Sequence, residues 1–458
     1  MRRRLFAVVV AVLLLAAVLC APLATSAAYP LPQDKRIYAR SAILVYMGTD
    51  VSADMVMFEQ NADEHLAPAG LTRILVGLYA CKVLEDQDMD PDTATGTFTK
   101  TLKDSISESD VRDLYTVKMQ EGDVWTVTDL LNISMLQTAA DAVTTLAVTL
   151  AGSREAYVNG MNAMLSEIGC TDTHFTNVYG LDDPEQYTTA RDMYRILRYA
   201  SINYSQLTDI LSQSEYTVHP VKGEVDSWPA TNEMLRSSSP FYYSPIVYGR
   251  SGYTDSIGQS SASVCRDDGY EYMTVVMGCD GGQDEEGEDI EGEAFTDTMT
   301  LCRWVYNAFS YKTVVSKNQP VTRTKVRLAW STDSVALVAA RDLEGMLRNE
   351  TDVNALRYDI TLNDDAVTAP VDQGEICGMA KIYDGEELIG EIGLCAAEYI
   401  PRSQLLFVIN GIWTILTSPV MLILFALGAA LFIGYIVIGY AHTRSRRKKK
   451  HKKVKRYR

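Results

Sequence analysis

The sequence predicts a mixed α/β chain of the α+β kind that ends in a membrane-spanning helix, and three observations predict it. Short alternating runs pair as hairpins near both ends of the first 310 residues. Between them lie apolar segments with the spacing of buried helices. From Tyr311 onward only short alternating runs remain, divided by Asp, Asn and Gly, until 22 residues without a charge begin at Pro419.

Residues 1–28 carry a basic start (Arg2 to Arg4), an apolar stretch (Leu5 to Leu19) and the small-residue run Ala24 to Ala28, the pattern of a secretory signal peptide. Cys20 invites a lipoprotein reading, but the bulky Leu19 stands before it, where a small residue is expected. A first folded domain is expected over residues 29–310. Tyr38 to Met47 and Val51 to Phe58 read as a hairpin across Gly48-Thr49-Asp50. Pro68 suits a first helical turn, and Leu71, Ile74, Leu75, Leu78, Cys81 and Leu84 continue it as a core helix.

Val127 to Ala151 is apolar and rich in Thr and Ala; one unbroken helix and two helices broken near Thr138 fit its periodicity equally well. Tyr157 to Ile168 is amphipathic and stops at Gly169 as a C-cap. A loop, His174 to Gly180, and a helix starting at Thr188 follow. Ser260 to Arg266 and Tyr270 to Gly278 form a second hairpin over Asp267-Asp268-Gly269, and Phe295 to Phe309 is the closing helix. The run Asp280 to Glu293 holds eight acidic residues without the spacing of a calcium loop, so it reads as solvated surface.

Residues 311–400 read as a small all-β domain, 401–418 as an interfacial helix, 419–440 as a transmembrane helix, and 441–458 as a basic cytoplasmic tail. Eleven of the 42 Lys and Arg fall between Arg444 and Arg458. Basic residues stay on the cytoplasmic side, so the body is expected to face outward. Residues 5–443 hold 28 basic against 59 acidic residues, a balance of −31 that excludes non-specific nucleic-acid binding by the body. The tail beside a span is expected to lie on anionic lipid.

Seven cysteines follow Cys20, with no CxxC pair, so neither a metal site nor a disulfide framework is legible. If Asp384-Gly385 is the turn, Cys377 falls opposite about residue 392 and misses Cys395 by roughly three positions. Buried free thiols are the expectation.

The order of features now carries a resemblance. Pro68-Ala69-x-x-Thr72, Leu130-Leu131, Asp141-Ala142, Thr188-x-Ala190-Arg191-Asp192 and Gly249-x-x-Gly252-Tyr253-Thr254 together resemble the low-molecular-weight penicillin-binding D-alanyl-D-alanine carboxypeptidases, from about Ala42 to Tyr399. The resemblance implies a DD-peptidase/β-lactamase-like domain with a five-stranded antiparallel sheet, a helical subdomain and an active site between them. It implies no cofactor and no metal. Its three motifs are a Ser-x-x-Lys pair (nucleophile and base), a Ser-x-Asn loop, and a Lys-Thr-Gly strand that grips the substrate carboxylate.

All three motifs are altered in this chain. Gly70 stands at the serine, Arg73 at the lysine, Thr138 and Ala140 at the Ser and Asn, and Arg250, Ser251 and Gly252 at Lys-Thr-Gly. Glycine offers no nucleophile, and a guanidinium with a pKa above ~12 is no base near neutrality. Thr72 is a poor substitute, lying about 200° around a helix from Gly70, with Leu75 in place of a base. Arg250 and Ser251 keep a cation and a hydroxyl. The expectation is a pseudoenzyme acting in peptidoglycan metabolism that binds a D-Ala-D-Ala stem peptide or a cell-wall protein partner without hydrolysis. The alternatives are an active carboxypeptidase with a rearranged site and a structural scaffold with a vestigial cleft.

Overall fold

The hairpins expected at the two ends of the first domain meet in one sheet. The computed structural model describes residues 29–107, 114–280, 292–364 and 366–454; the expected signal peptide, Cys20 and most of the acidic run at 280–293 lie outside the described residues. Two compact units divide the chain near Ser310 and Tyr311.

In the first unit the strands are β1 (Ser41–Met47), β2 (Met55–Gln60), β3 (Thr95–Thr97), β4 (Val124–Thr126), β5 (Glu215–Val218), β6 (Asp226–Pro229), β7 (Ile246–Thr254), β8 (Gly258–Asp267) and β9 (Tyr270–Cys279). The helices are α1 (Thr72–Asp86), α2 (Lys100–Ser107), α3 (Val127–Leu136), α4 (Ala140–Ala151), α5 (Arg154–Ile168), α6 (Ala190–Asn203), α7 (Ser205–Leu211) and α8 (Glu293–Ala308).

Five strands form an antiparallel sheet in the order β2-β1-β9-β8-β7, which leaves β7 at an edge. Asp268 and Gly269 both take positive φ in the β8–β9 turn, the conformation a two-residue hairpin requires and the reason the Asp-Gly signal was readable. One face of the sheet packs against α8 through Leu44, Val276, Phe295 and Val305. The other packs against the helical layer through Ile43, Val275, Ile74, Leu130 and Met193. Hydrophobic burial of this order, about 25 cal/mol per Å² of apolar surface, is what holds the two layers together.

The apolar stretch 127–151 is two helices. Gln137 to Ala139 separates α3 from α4, with Gln137 closing α3 in extended backbone. Periodicity does not set this break; tertiary bonds do. The Ala140 N–H donates to Tyr115 O at 2.9 Å, and the Gln137 amide donates to Pro229 O. Gly169 caps α5 in the left-handed region at φ +85°, as its position predicts.

In the second unit a six-stranded sheet runs in the spatial order Arg357–Leu362, Ile376–Asp384, Glu387–Ala396, Ser334–Ala339, Pro320–Arg327 and Ala366–Thr368. The register corrects the cysteine expectation. Asp384 pairs with Glu387, so the turn is Gly385-Glu386 rather than Asp384-Gly385, and a bulge at Ile382/Tyr383 adds a further step. Cys377 therefore stands across from Cys395, in a second bulge where Ile376 pairs with Cys395 and Gly378 with Leu394. All seven described cysteines are free and buried.

Ser403 caps the helix Gln404–Leu416 by accepting the Leu406 N–H at 3.3 Å. A second helix, Pro419–Val454, follows the break at Thr417-Ser418. Its Pro419–Ala441 segment is long and apolar enough to cross a bilayer, with a mean hydropathy of 2.7.

Candidate functional site

The segments expected to carry the three motifs converge in the first unit. Gly70 lies in a 3-10 turn, Ala69–Leu71, that runs directly into α1 and places Arg73 in the helix's first turn. Thr138 is half-buried in the α3–α4 linker, and Ala140 is the buried first residue of α4. Arg250, Ser251 and Gly252 lie on edge strand β7, opposite Ala262, Ser261 and Ser260 of β8.

These segments are packed too closely to leave a reaction space at Gly70. A Cβ built on Gly70 would stand 2.7 Å from Gly252 Cα and 3.0 Å from Ser251 O; one on Gly252 would stand 2.3 Å from Gly70 N. Real Cβ atoms do not tolerate such distances to backbone, so the two glycines make the approach possible.

The loop His174 to Gly180, read from sequence only as a loop, holds the turn from another side. A Cβ on Gly180 would stand 2.0 Å from Ala69 O, and Gly180 itself has φ +79°. Asn177 builds this loop by accepting N–H bonds from Tyr179, Gly180 and Leu181 at 2.9–3.1 Å. An Asn followed by a glycine two or three residues on is the one local signal that could have flagged it. Ala69, with φ +48°, is held in a strained left-handed conformation at the junction.

Arg250 joins all three motif segments. It is 1% exposed. Its Nη1 donates to Met135 O, its Nη2 to Gln137 O at 3.1 Å, and its Nε to Gly70 O at 3.5 Å. Its guanidinium is spent on the carbonyls at the end of α3 and on the turn. The Ser251 hydroxyl donates to Thr231 O at 2.9 Å. Burial pulls the Arg250 pKa down to about 9, and the nearby Arg73 charge adds to the fall.

Arg73 is fully buried, and its Nε, Nη1 and Nη2 have no hydrogen-bond partner among the described residues. Burial lowers its pKa to about 10, opposed by Tyr179 and Asp141. At pH 7 only roughly 10⁻³ of such a group is neutral, so it does not serve as a general base. Asp141 is raised by burial, while its carboxylate accepts N–H bonds from Val117, Met119 and Ala142 at 3.0–3.2 Å. The Ser251 hydroxyl is engaged with the Thr231 carbonyl, and among the described residues of these three motif segments it is bonded to no base. Among the described residues no group of three or more His, Cys, Asp or Glu side chains is placed to hold a metal.

The comparisons with known proteins follow this geometry. The profile of the family described as D-alanyl-D-alanine carboxypeptidase matches residues 26–281, and that of the penicillin-binding protein 5 C-terminal domain matches residues 309–402. The D-alanyl-D-alanine carboxypeptidase DacC of Escherichia coli is 25% identical over 343 residues, 74% of this chain and 78% of the relative. The carboxypeptidase DacF of Bacillus subtilis is 20% identical over 82% of this chain and 90% of its own length. Among solved structures, the carboxypeptidase DacD of Francisella tularensis superposes with a TM-score of 0.63 at 18% identity, over 82% of this chain and 96% of that one. Penicillin-binding protein 5 of Haemophilus influenzae gives 0.59 at 19%, over 82% and 100%. A fold with the sheet, the helical layer and the all-β unit in this order, and a family profile that spans more than half the sequence, lead to one statement: the chain belongs to the low-molecular-weight penicillin-binding D-alanyl-D-alanine carboxypeptidases.

Proposed function

We propose that this protein is a membrane-anchored, outward-facing member of its family that serves peptidoglycan metabolism without hydrolysing D-Ala-D-Ala. Its former catalytic turn acts as a strut between the sheet and the helices, and it works on the wall by docking a cell-wall partner. The observation that carries this reading is the backbone contact of Gly70 with Gly252, which fills the place of the missing nucleophile. The basic tail and the span Pro419–Ala441 support single-pass anchoring with the body outside. The test is labelling of the intact protein with fluorescent penicillin. No stoichiometric acyl adduct is expected, and an adduct would restore the reading of an active carboxypeptidase with a rearranged site.

One observation favours a second reading, in which the cleft still binds a stem peptide. Arg73 is a cation without a partner among the described residues, next to a second cation, Arg250. Titration of the protein with a peptide ending in D-Ala-D-Ala separates the two. Saturable binding that weakens in Arg250→Ala supports peptide recognition; no binding in either form supports the strut.

A further inference from the structure

We propose that the buried guanidinium of Arg73 binds one small monovalent anion, of the halide or single-carboxylate class, as the counter-ion of the closed cleft. The first ground is the state of the side chain. Arg73 is 0% exposed, and all three of its nitrogens lack a hydrogen-bond partner among the described residues. The adjacent Thr72 hydroxyl is buried and equally without a partner. Buried polar groups in native proteins are almost always paired, and an unpaired buried charge is costlier still.

The second ground is position. Arg73 lies in the first turn of α1, a helix of fifteen residues, whose N-terminal end adds positive potential to that of the side chain. The third is charge balance. The charge of Arg73 is near enough to lower the pKa of the buried Arg250 guanidinium. Asp141 is the carboxylate that acts on Arg73, yet no ion pair joins them, and its oxygens are taken by three backbone N–H groups. Two buried cations against one carboxylate leave one positive charge, which one monovalent anion neutralises.

The same unit shows how this fold treats an arginine that is paired from within. Arg198 holds Asp54 through two nitrogens, at 2.8 and 2.9 Å. Among the described residues no carboxylate is hydrogen-bonded to Arg73. Loss of its proton is no remedy at neutral pH, since its pKa remains at about 10.

The experiment uses the full-length protein in detergent. Thermal unfolding is followed at constant ionic strength while sodium isethionate, whose anion is too bulky for an enclosed site, is replaced in turn by chloride, bromide, formate and acetate. A rise in Tm that is linear in the logarithm of the anion concentration is expected, about 2–4 °C per tenfold of anion above its Kd. Arg73→Met is expected to lose that dependence and Lys82→Met, a control at a half-buried lysine of the same helix that is paired with Asp86, to keep it. A rise with chloride and bromide identifies an inorganic ion, and a rise with formate and acetate alone identifies a small carboxylate. Equal anion dependence in the wild type and Arg73→Met, or none in the wild type, overturns the proposal. Should Arg73→Met fail to fold, crystals of the wild type grown in bromide decide it: an anomalous peak in contact with the Arg73 guanidinium is required, and its absence, with no carboxylate density there in crystals grown in acetate, refutes the site.

Discussion

Gly70 and Gly252 touch through their backbones: a Cβ added to Gly70 would lie 2.7 Å from Gly252 Cα, and one added to Gly252 would lie 2.4 Å from Gly70 Cα. The pair joins the turn at the head of α1 to the edge strand β7, the two walls between which the family's motifs place the reaction. Neither wall has room for a side chain at this point.

Restoring the serine is therefore expected to harm the fold. Gly70→Ser forces a Cβ against backbone that has no flexible end to give way, an overpacking that costs about 1–3 kcal/mol. Urea unfolding measures it as a lower midpoint at unchanged slope. The double variant Gly70→Ser with Arg73→Lys is expected to gain no penicillin adduct. An adduct in the double variant, at wild-type stability, would mean that the contact yields easily.

The family's own residue is also expected to be worse at position 250. Arg250 meets the carbonyls of Met135, Gln137 and Gly70 with a planar fork of donors. A lysine is a compact point charge on a flexible stem and does not span all three. Arg250→Lys is expected to lose roughly 1–3 kcal/mol, the cost of leaving a buried carbonyl unmet. Equal stability of the two proteins by urea unfolding would show that the carbonyls find other partners.

How much of this was readable in the sequence depends on how local the cause is. The β8–β9 hairpin was legible because Asp268-Gly269 supplies the positive φ that its turn needs. The C-cap at Gly169 was legible for the same reason. The break between α3 and α4 was not, because Thr and Ala continue the helical period across it and the bonds that fix it come from Pro229, Tyr115 and Arg250. The Cys377 register was misjudged because a turn shifted in sequence and a bulge each move the pairing. The seven expected site positions rest on motif order alone; what the structure adds is that Arg250 reaches the Gly70 and Gln137 carbonyls on the other two segments. What Arg250 and Ser251 bond to was hidden, since their acceptors are carbonyls on distant segments, to which any residue type could have contributed.

The layer between the sheet and α6 rests on a buried pair. Asp54 accepts from Arg198 Nε and Nη2, from Tyr194 Oη at 2.5 Å and from the Gly48 N–H at 2.7 Å. Asp54→Asn removes the charge and leaves Arg198 buried without its counter-ion, a change that costs about 3–5 kcal/mol. The double variant Asp54→Asn with Arg198→Met is expected to recover part of that loss. If the single variant unfolds at the wild-type midpoint, the pair contributes nothing to stability.

Asp297 of α8 gives the first unit a pH dependence of predictable sign. Its Oδ2 accepts the Tyr38 and Ala39 N–H groups, each at 2.8 Å, while its Oδ1 is buried without a hydrogen-bond partner among the described residues. Burial raises the carboxyl from 3.8 to about 6; the two N–H donors oppose the rise, and the Glu293 charge adds to it. The folded state therefore binds the proton more tightly than the unfolded chain. The resulting stability is fully present below pH ~4 and is lost as the pH climbs through ~6, since the unfolded state holds fewer protons across that window. A displacement of about two units corresponds to roughly 3 kcal/mol. Asp141 is raised by burial as well and contributes a slope of the same sign, so the wild type alone does not isolate Asp297. The comparison that does is with Asp297→Asn, followed by urea unfolding between pH ~4 and ~7: the variant should lose a large part of the decline, and parallel curves for the two proteins would assign the decline to other groups.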